Sequence, residues 1–116
     1  MGDNVIQVKS YQFASRIIKL VLFLQKGKEY VLSKQILRSG TSIGANVEEA
    51  IWWQTRKEFF SKFSIAYKEC RETKYRLNLL KDNGYLEQPM FDSFSDDLSL
   101  LVKIIVSIQK TTKMKK

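Results

Sequence analysis

The chain has 116 residues, 44% of them apolar, and twenty Lys and Arg against twelve Asp and Glu give it a net charge of +8. That length suits one domain with a real core, residues 1–116, and two domains would be hard to fit. One proline and five glycines argue against the frequent turns of an all-β fold, and the absence of histidine removes the commonest general base and metal ligand.

The first predicted helix covers about residues 10–26. Phe13, Ile17, Leu20 and Leu24 recur at spacings of four, three and four, which stacks them on one face, and Gly27 offers a stop. Ile18, Val21, Leu22 and Phe23 widen the apolar surface beyond one seam, so a further neighbour such as another subunit is expected.

The second predicted helix, about residues 31–53, carries Leu32, Ile36, Ile43, Val47 and Ala50 near helical spacing. Its middle, Arg38 to Asn46, is poor in helix formers. Gly40 and Gly44 together forfeit about 2 kcal/mol of propensity relative to Ala. Ser39, Gly40 and Gly44 read instead as a smooth strip that lets another helix come close. Asn46, beside Ile43, Val47 and Ala50, is expected to hydrogen-bond backbone or a neighbouring helix and to help set register.

The third predicted helix, about residues 56–83, opens on Thr55-Arg56-Lys57-Glu58, a capping box. Phe59, Phe63, Ala66, Cys70, Thr73, Leu77 and Leu80 then follow a heptad rhythm, and Asn83-Gly84 ends it. The fourth, about residues 89–110, begins at Pro89, with Asp92, Asp96 and Asp97 suited to the positive end of its dipole. Phe91, Phe94, Leu98, Leu101, Ile105 and Ile108 form its seam. Leu100, Val102, Ile104 and Val106 make its second half apolar nearly all round, which places part of it in an expected subunit interface. Residues 111–116 read as a frayed basic tail. Together the elements predict an all-α, antiparallel up-down-up-down four-helix bundle.

Chemistry is sparse in this pattern. Cys70 lies on the third seam and reads as core packing, while a single thiol excludes an internal disulfide and suits a reducing cytoplasmic compartment. No cleavable signal peptide opens the chain, and the apolar run Ile17 to Leu24 is interrupted by Lys19 and too short to span a bilayer, so no membrane partner is expected. Without histidine the Glu-x-x-His pairs of a di-metal bundle cannot form, and Glu48-Glu49 and Asp96-Asp97 each point about 100° apart on a helix. The stretch Ser39 to Gly44 lacks the Lys-Ser/Thr that a phosphate loop requires. No catalytic residue, metal or cofactor is expected, and the chain reads as non-enzymatic.

Charge gives the functional lead. Residues 56–83 carry a net +4 and residues 110–116 another +4, while residues 84–109 carry −3. Lys68, Arg71, Lys74 and Lys81 follow one side of the third helix, and Arg56, Lys57, Lys62 and Arg76 extend the charge around it, a surface suited to RNA or DNA phosphates. Glu58 before Lys62, Lys68 before Glu72 and Glu72 before Arg76 also fit a solvated, salt-bridged face, so both readings stand. Trp52 and Trp53, near Phe59 and Phe60, read either as base-stacking groups or as a buried helix corner or subunit contact.

The run Leu32 to Ala50, centred on Ser39-Gly40-Thr41-Ser42-Ile43-Gly44-Ala45-Asn46, resembles the signature of the 23S rRNA intervening-sequence protein family, also called the four-helix bundle protein family. Phe63 to Leu77 looks like that family's third-helix motif, and the likeness spans about residues 10–108. The resemblance implies a bundle assembled as a homopentameric ring, and related accessory proteins of diversity-generating retroelements use a basic pentameric barrel to contact reverse transcriptase and RNA. It supplies no catalytic residues. Two expectations follow: an oligomer that contacts RNA or DNA phosphates with little base specificity, or a scaffold that docks a partner such as a polymerase or ribonucleoprotein without touching nucleic acid.

Overall fold

The computed structural model describes residues 2–52 and 55–114, and among them it contains four helices and no strand. These are α1 (Gly2–Lys26), α2 (Val31–Trp52), α3 (Arg56–Asp82) and α4 (Gln88–Met114). A 27-residue helix is about 40 Å long. The chain measures 49 × 21 × 19 Å, so the helices lie along its long axis and the short turns make chain neighbours antiparallel. Helix α2 packs on α1 and α3, and α4 packs on α3 and closes against α1.

Each helix contributes one stripe to a common core. Phe13, Ile17, Leu20 and Leu24 of α1 meet Ile36, Ile43, Val47 and Ala50 of α2, Phe63, Ala66, Cys70, Leu77 and Leu80 of α3, and Phe91, Phe94, Leu98, Leu101 and Ile105 of α4. Phe13 meets Phe94 edge-to-face at 6.1 Å between centroids, a favoured aromatic geometry. Arg16 closes the α1–α4 seam: its guanidinium donates to Asp97 at 2.5 Å and Ser93 at 3.0 Å and lies 4.2 Å from the Phe94 centroid. Asp97 therefore serves this strap and not the helix dipole, since no acidic residue stands in the first turn of α4.

Helix α1 starts eight residues before the position that periodicity gave, at Gly2 instead of Ser10. Ile6 is fully buried, but the next core position is Ser10, and a polar residue on the seam hides the pattern. Ser10 is buried all the same, with its hydroxyl donating to the Gln7 carbonyl at 3.3 Å. Helix α4 likewise continues to Met114, so residues 111–114 are helical and not frayed. Thr111 and Thr112 return their hydroxyls to the carbonyls of Ser107 and Ile108, which carries the helix through a stretch without apolar periodicity.

Two glycine stops behave differently. Gly84 has a φ of 83°, and the Tyr85 N–H donates to the Leu80 carbonyl at 2.8 Å, a left-handed cap on α3. At the end of α1 the left-handed residue is Lys28, with φ 66°, and not Gly27. The Glu29 N–H reaches back to the Leu24 carbonyl at 2.9 Å and locks that turn.

Glu29 then caps α2. Its carboxylate accepts the backbone N–H groups of Val31, Leu32 and Ser33 at 3.1, 2.9 and 2.7 Å. Partial burial raises its pKa, but the bonds from Leu32, Ser33 and Val31 outweigh this and hold it below the ordinary 4.5. A depressed carboxyl pKa contributes stability that is full above the unfolded value and lost as pH falls through the folded one. Glu29→Ala is expected to cost about 1 kcal/mol at neutral pH. In urea titrations at several pH values, the gap to the native chain should narrow below about pH 4.5.

Candidate nucleic-acid interface

The strip of small residues fixes how α2 lies against α1 and α3. A Cβ on Gly40 would sit 2.8 Å from Ile17 Cγ1 of α1, and one on Gly44 would sit 3.4 Å from the Ser10 carbonyl oxygen. Ser39 is fully buried on the other side, its hydroxyl 3.0 Å from that of Thr73 on α3, while Thr73 also donates to the Glu69 carbonyl at 2.8 Å. Asn46 donates to the Ser42 carbonyl at 2.9 Å, within its own helix. Thr41 and Ser42 bond back in the same way, each at 2.6 Å, to Leu37 and Arg38. Thr41, Ser42 and Asn46 thus find acceptors without leaving the helix, which is how so weak a propensity supports one.

The predicted cations of α3 divide into two sets. Toward α2, Lys62 pairs with Glu49 at 2.6 Å and Arg76 with Glu72 at 3.4 Å, and Arg38 of α2 joins Glu72 at 2.5 Å and Glu69 at 3.3 Å. Lys62 thereby ties α3 to α2, while Arg76 pairs within α3 with the Glu72 that Arg38 of α2 also holds. The predicted Glu58–Lys62 spacing is not used, because Glu58 takes part in the N-cap: its N–H donates to Thr55 Oγ1 at 3.1 Å, and that hydroxyl donates to its carboxylate at 2.5 Å.

On the other side, Lys57, Lys68 and Arg71 are exposed and have no carboxylate partner among the described residues. Arg56 is exposed beside them at the start of α3. Lys74 donates to Ser95 Oγ at 3.0 Å and lies 4.8 Å from the Phe91 centroid, so only neutral groups hold it and its charge is not cancelled. Lys81 sits 4.4 Å from the same ring and 3.8 Å from Asp82. The structure therefore brings Lys68, Arg71 and Lys74 onto one face and separates Lys62 and Arg76 from them.

That face borders a groove of about 600 Å³ between α3 and α4, lined by Arg71, Lys74, Tyr75, Asn78, Ser99 and Lys103 among others. Lys103 was not singled out from the sequence. It lies beside the seam residues Leu101 and Ile105, and antiparallel packing carries it to α3, so the signal was a lone cation flanking an apolar stripe. Farther along, Lys57 and Phe60 of α3 share a second hollow with Lys113 of α4.

Cys70 is buried, and desolvation, helped by the nearby Glu69 charge, pushes its thiol up to about 12. A thiol that stays protonated is a packing group and not a nucleophile. Among the described residues no group of His, Cys, Asp and Glu forms a metal cluster, and no helix is long and apolar enough to cross a membrane. Trp52 is 79% exposed, two positions and so about 200° beyond the buried Ala50. Burial in a helix corner is thus not its role in the single chain, and Trp53 lies outside the described residues.

Comparison with curated proteins gives no match. Among solved structures, the chain is similar to a protein of unknown function from the S23 ribosomal protein family of Bacteroides thetaiotaomicron, determined at 1.70 Å. The two share 48% identity with a TM-score of 0.93, over 95% of this chain and 99% of that one. Residues 2–107 match the 23S rRNA-intervening sequence protein family. The long Ser-Gly-Thr-Ser-Ile-Gly-Ala-Asn run, its packing against Ile17 and Ser10, and this match over nearly the whole chain agree: the protein belongs to the 23S rRNA-intervening sequence protein family.

Proposed function

We propose that this protein is a non-enzymatic, cytoplasmic homo-oligomer that binds RNA or DNA through phosphate contacts on the α3 face. One observation carries the reading: Lys57, Lys68 and Arg71 project from α3 without carboxylate partners among the described residues, and Lys74 is held only by neutral groups. Cations left unpaired on one face attract a polyanion and release its counterions on contact. The side that carries Arg38 and Arg76 is neutralised by its own carboxylates and plays no part.

The oligomer rests on α1. Val8, Tyr11, Ile18 and Leu22, with Ser15 in the middle of the series, recur at spacings of three and four on the face opposite the core stripe. The four large side chains are exposed in the single chain, and Ser15 is half-buried between them. Such a second seam, with a small residue at its centre, fits another helix of the same kind. The pentameric count follows the family likeness.

Fluorescence anisotropy with a labelled RNA hairpin tests the binding. For about four phosphate contacts, affinity should fall about a hundredfold between roughly 50 and 200 mM salt. Changing Lys68, Arg71 and Lys74 together to Glu should remove binding. Absence of binding at low salt defeats the proposal, and a partner protein that is retained after nuclease treatment would favour the scaffold reading instead.

A further inference from the structure

We infer that the α3–α4 groove is a site for single-stranded nucleic acid, in which Tyr75 stacks on a base while Arg71, Lys74 and Lys103 hold the adjoining phosphates. This deepens the proposed function and rests on it. The groove brings three cations from two helices to one hollow, adds the Asn78 amide and the Ser99 hydroxyl, and has no carboxylate in its lining. Asp97 binds Arg16 on the α1 side and Asp92 accepts from Gln88, while Asp96 is exposed, outside the groove's lining and in no ion pair with these cations among the described residues. Arg71, Lys103 and Lys74 therefore face the groove with their charge uncompensated.

Tyr75 selects the kind of polyanion. Its side chain is 63% exposed although it borders the hollow, so its ring is open to a flat partner. Phosphates alone need no aromatic ring, and a duplex keeps its base faces stacked inside. Neighbouring helices pack about 8–10 Å apart, which makes the furrow between them far narrower than a duplex. A single strand fits it and offers π-faces as well as charge. The second hollow, with Phe60 between Lys57 and Lys113, repeats the pairing of ring and cations about 22 Å along α3, fifteen residues away. The strand would follow the α3–α4 furrow from one ring to the other.

The test uses the full chain with two fluorescein-labelled probes, an oligothymidine of about 12 nucleotides and a duplex of the same length. Tyr75→Ala is expected to weaken oligothymidine binding about tenfold and to leave duplex binding within about twofold, as expected for loss of one stacked base. Tyr75→Phe should bind both probes like the native chain, and Lys103→Glu should weaken oligothymidine severalfold. Circular dichroism of each variant shows that the bundle is intact. If Tyr75→Ala binds oligothymidine like the native chain, or loses both probes equally, the groove assignment is wrong while phosphate binding elsewhere on α3 survives. Equal affinity for polyglutamate and oligothymidine also overturns it, in favour of an acidic protein partner. If the native chain binds neither nucleic acid, this inference and the proposed function fail together.

Discussion

Replacing Gly40 by valine is expected to destabilise the fold by about 3 kcal/mol or more, and even alanine there should cost about 1–2 kcal/mol net. In an isolated helix alanine would gain about 1 kcal/mol over glycine. Here the added methyl carbon lands 2.8 Å from Ile17 Cγ1 and 3.0 Å from Cγ2. Those atoms branch directly from the Cβ of a fully buried side chain, so they cannot swing aside as a flexible tip could. Either the Ile17 rotamer or the α1–α2 spacing must change. Ile17→Ala removes both of these atoms and Cδ1, 3.2 Å away, at a cost of about 2–5 kcal/mol. In that background Gly40→Ala should reverse sign and restore about 1 kcal/mol, because only the propensity gain remains. Urea titrations of the four chains measure the cycle. A Gly40→Ala chain more stable than the native one would show that the helices do not approach this closely.

Changing Ile18 and Leu22 together to glutamate is expected to convert an assembly near five times 13.6 kDa into a monomer of 13.6 kDa. Leu22 is 60% exposed and Ile18 46% exposed, so charge at these positions is harmless in an isolated bundle. In an interface each apolar side chain contributes about 1.5–3 kcal/mol when fully buried, and each glutamate must instead be desolvated. Static light scattering reads the mass directly. Thermal unfolding adds a second view: the midpoint of the native chain should rise with protein concentration, and that of the variant should not. A native chain at 13.6 kDa, or a variant that stays assembled, would remove α1 from the interface.

The seams of α3 and α4 were legible because they keep heptad spacing with Thr73 as the one polar member, and each seam residue from Phe63 to Leu80 and from Phe91 to Ile105 is buried. The start of α1 was not, since Ser10 occupies a core position where a close backbone approach leaves little room for a larger group. At the candidate interface, composition identified the basic helix but could not sort its cations. Arg76 keeps the Glu72 partner that their four-residue spacing offered, but Lys62 looks like Lys68 and Arg71 in the sequence, and what separates it is which neighbouring helix brings a carboxylate. Glu49 of α2 does so for Lys62, whereas Ser95 of α4 offers Lys74 only a hydroxyl. Lys103 and Tyr75 became visible as a pair only when antiparallel packing set α4 beside α3. Local spacing carries no information about such partners. Of the two alternatives expected for Asn46, backbone or a neighbouring helix, its amide takes the backbone of its own helix.

Burial of the one thiol turns the bundle into its own clock. With Cys70 pushed up to about 12, the closed chain carries far less of the reactive thiolate at pH 7 than an unfolded chain with an ordinary cysteine. Opening α3 away from α4 therefore raises the thiolate fraction as well as the access of a reagent to it. An oxidant that meets the closed chain finds almost nothing to attack, and each modified Cys70 records that its chain has opened. Once modified, the seam holds a bulkier group than it was packed for, so the chains that open most often are the ones that fail to close again.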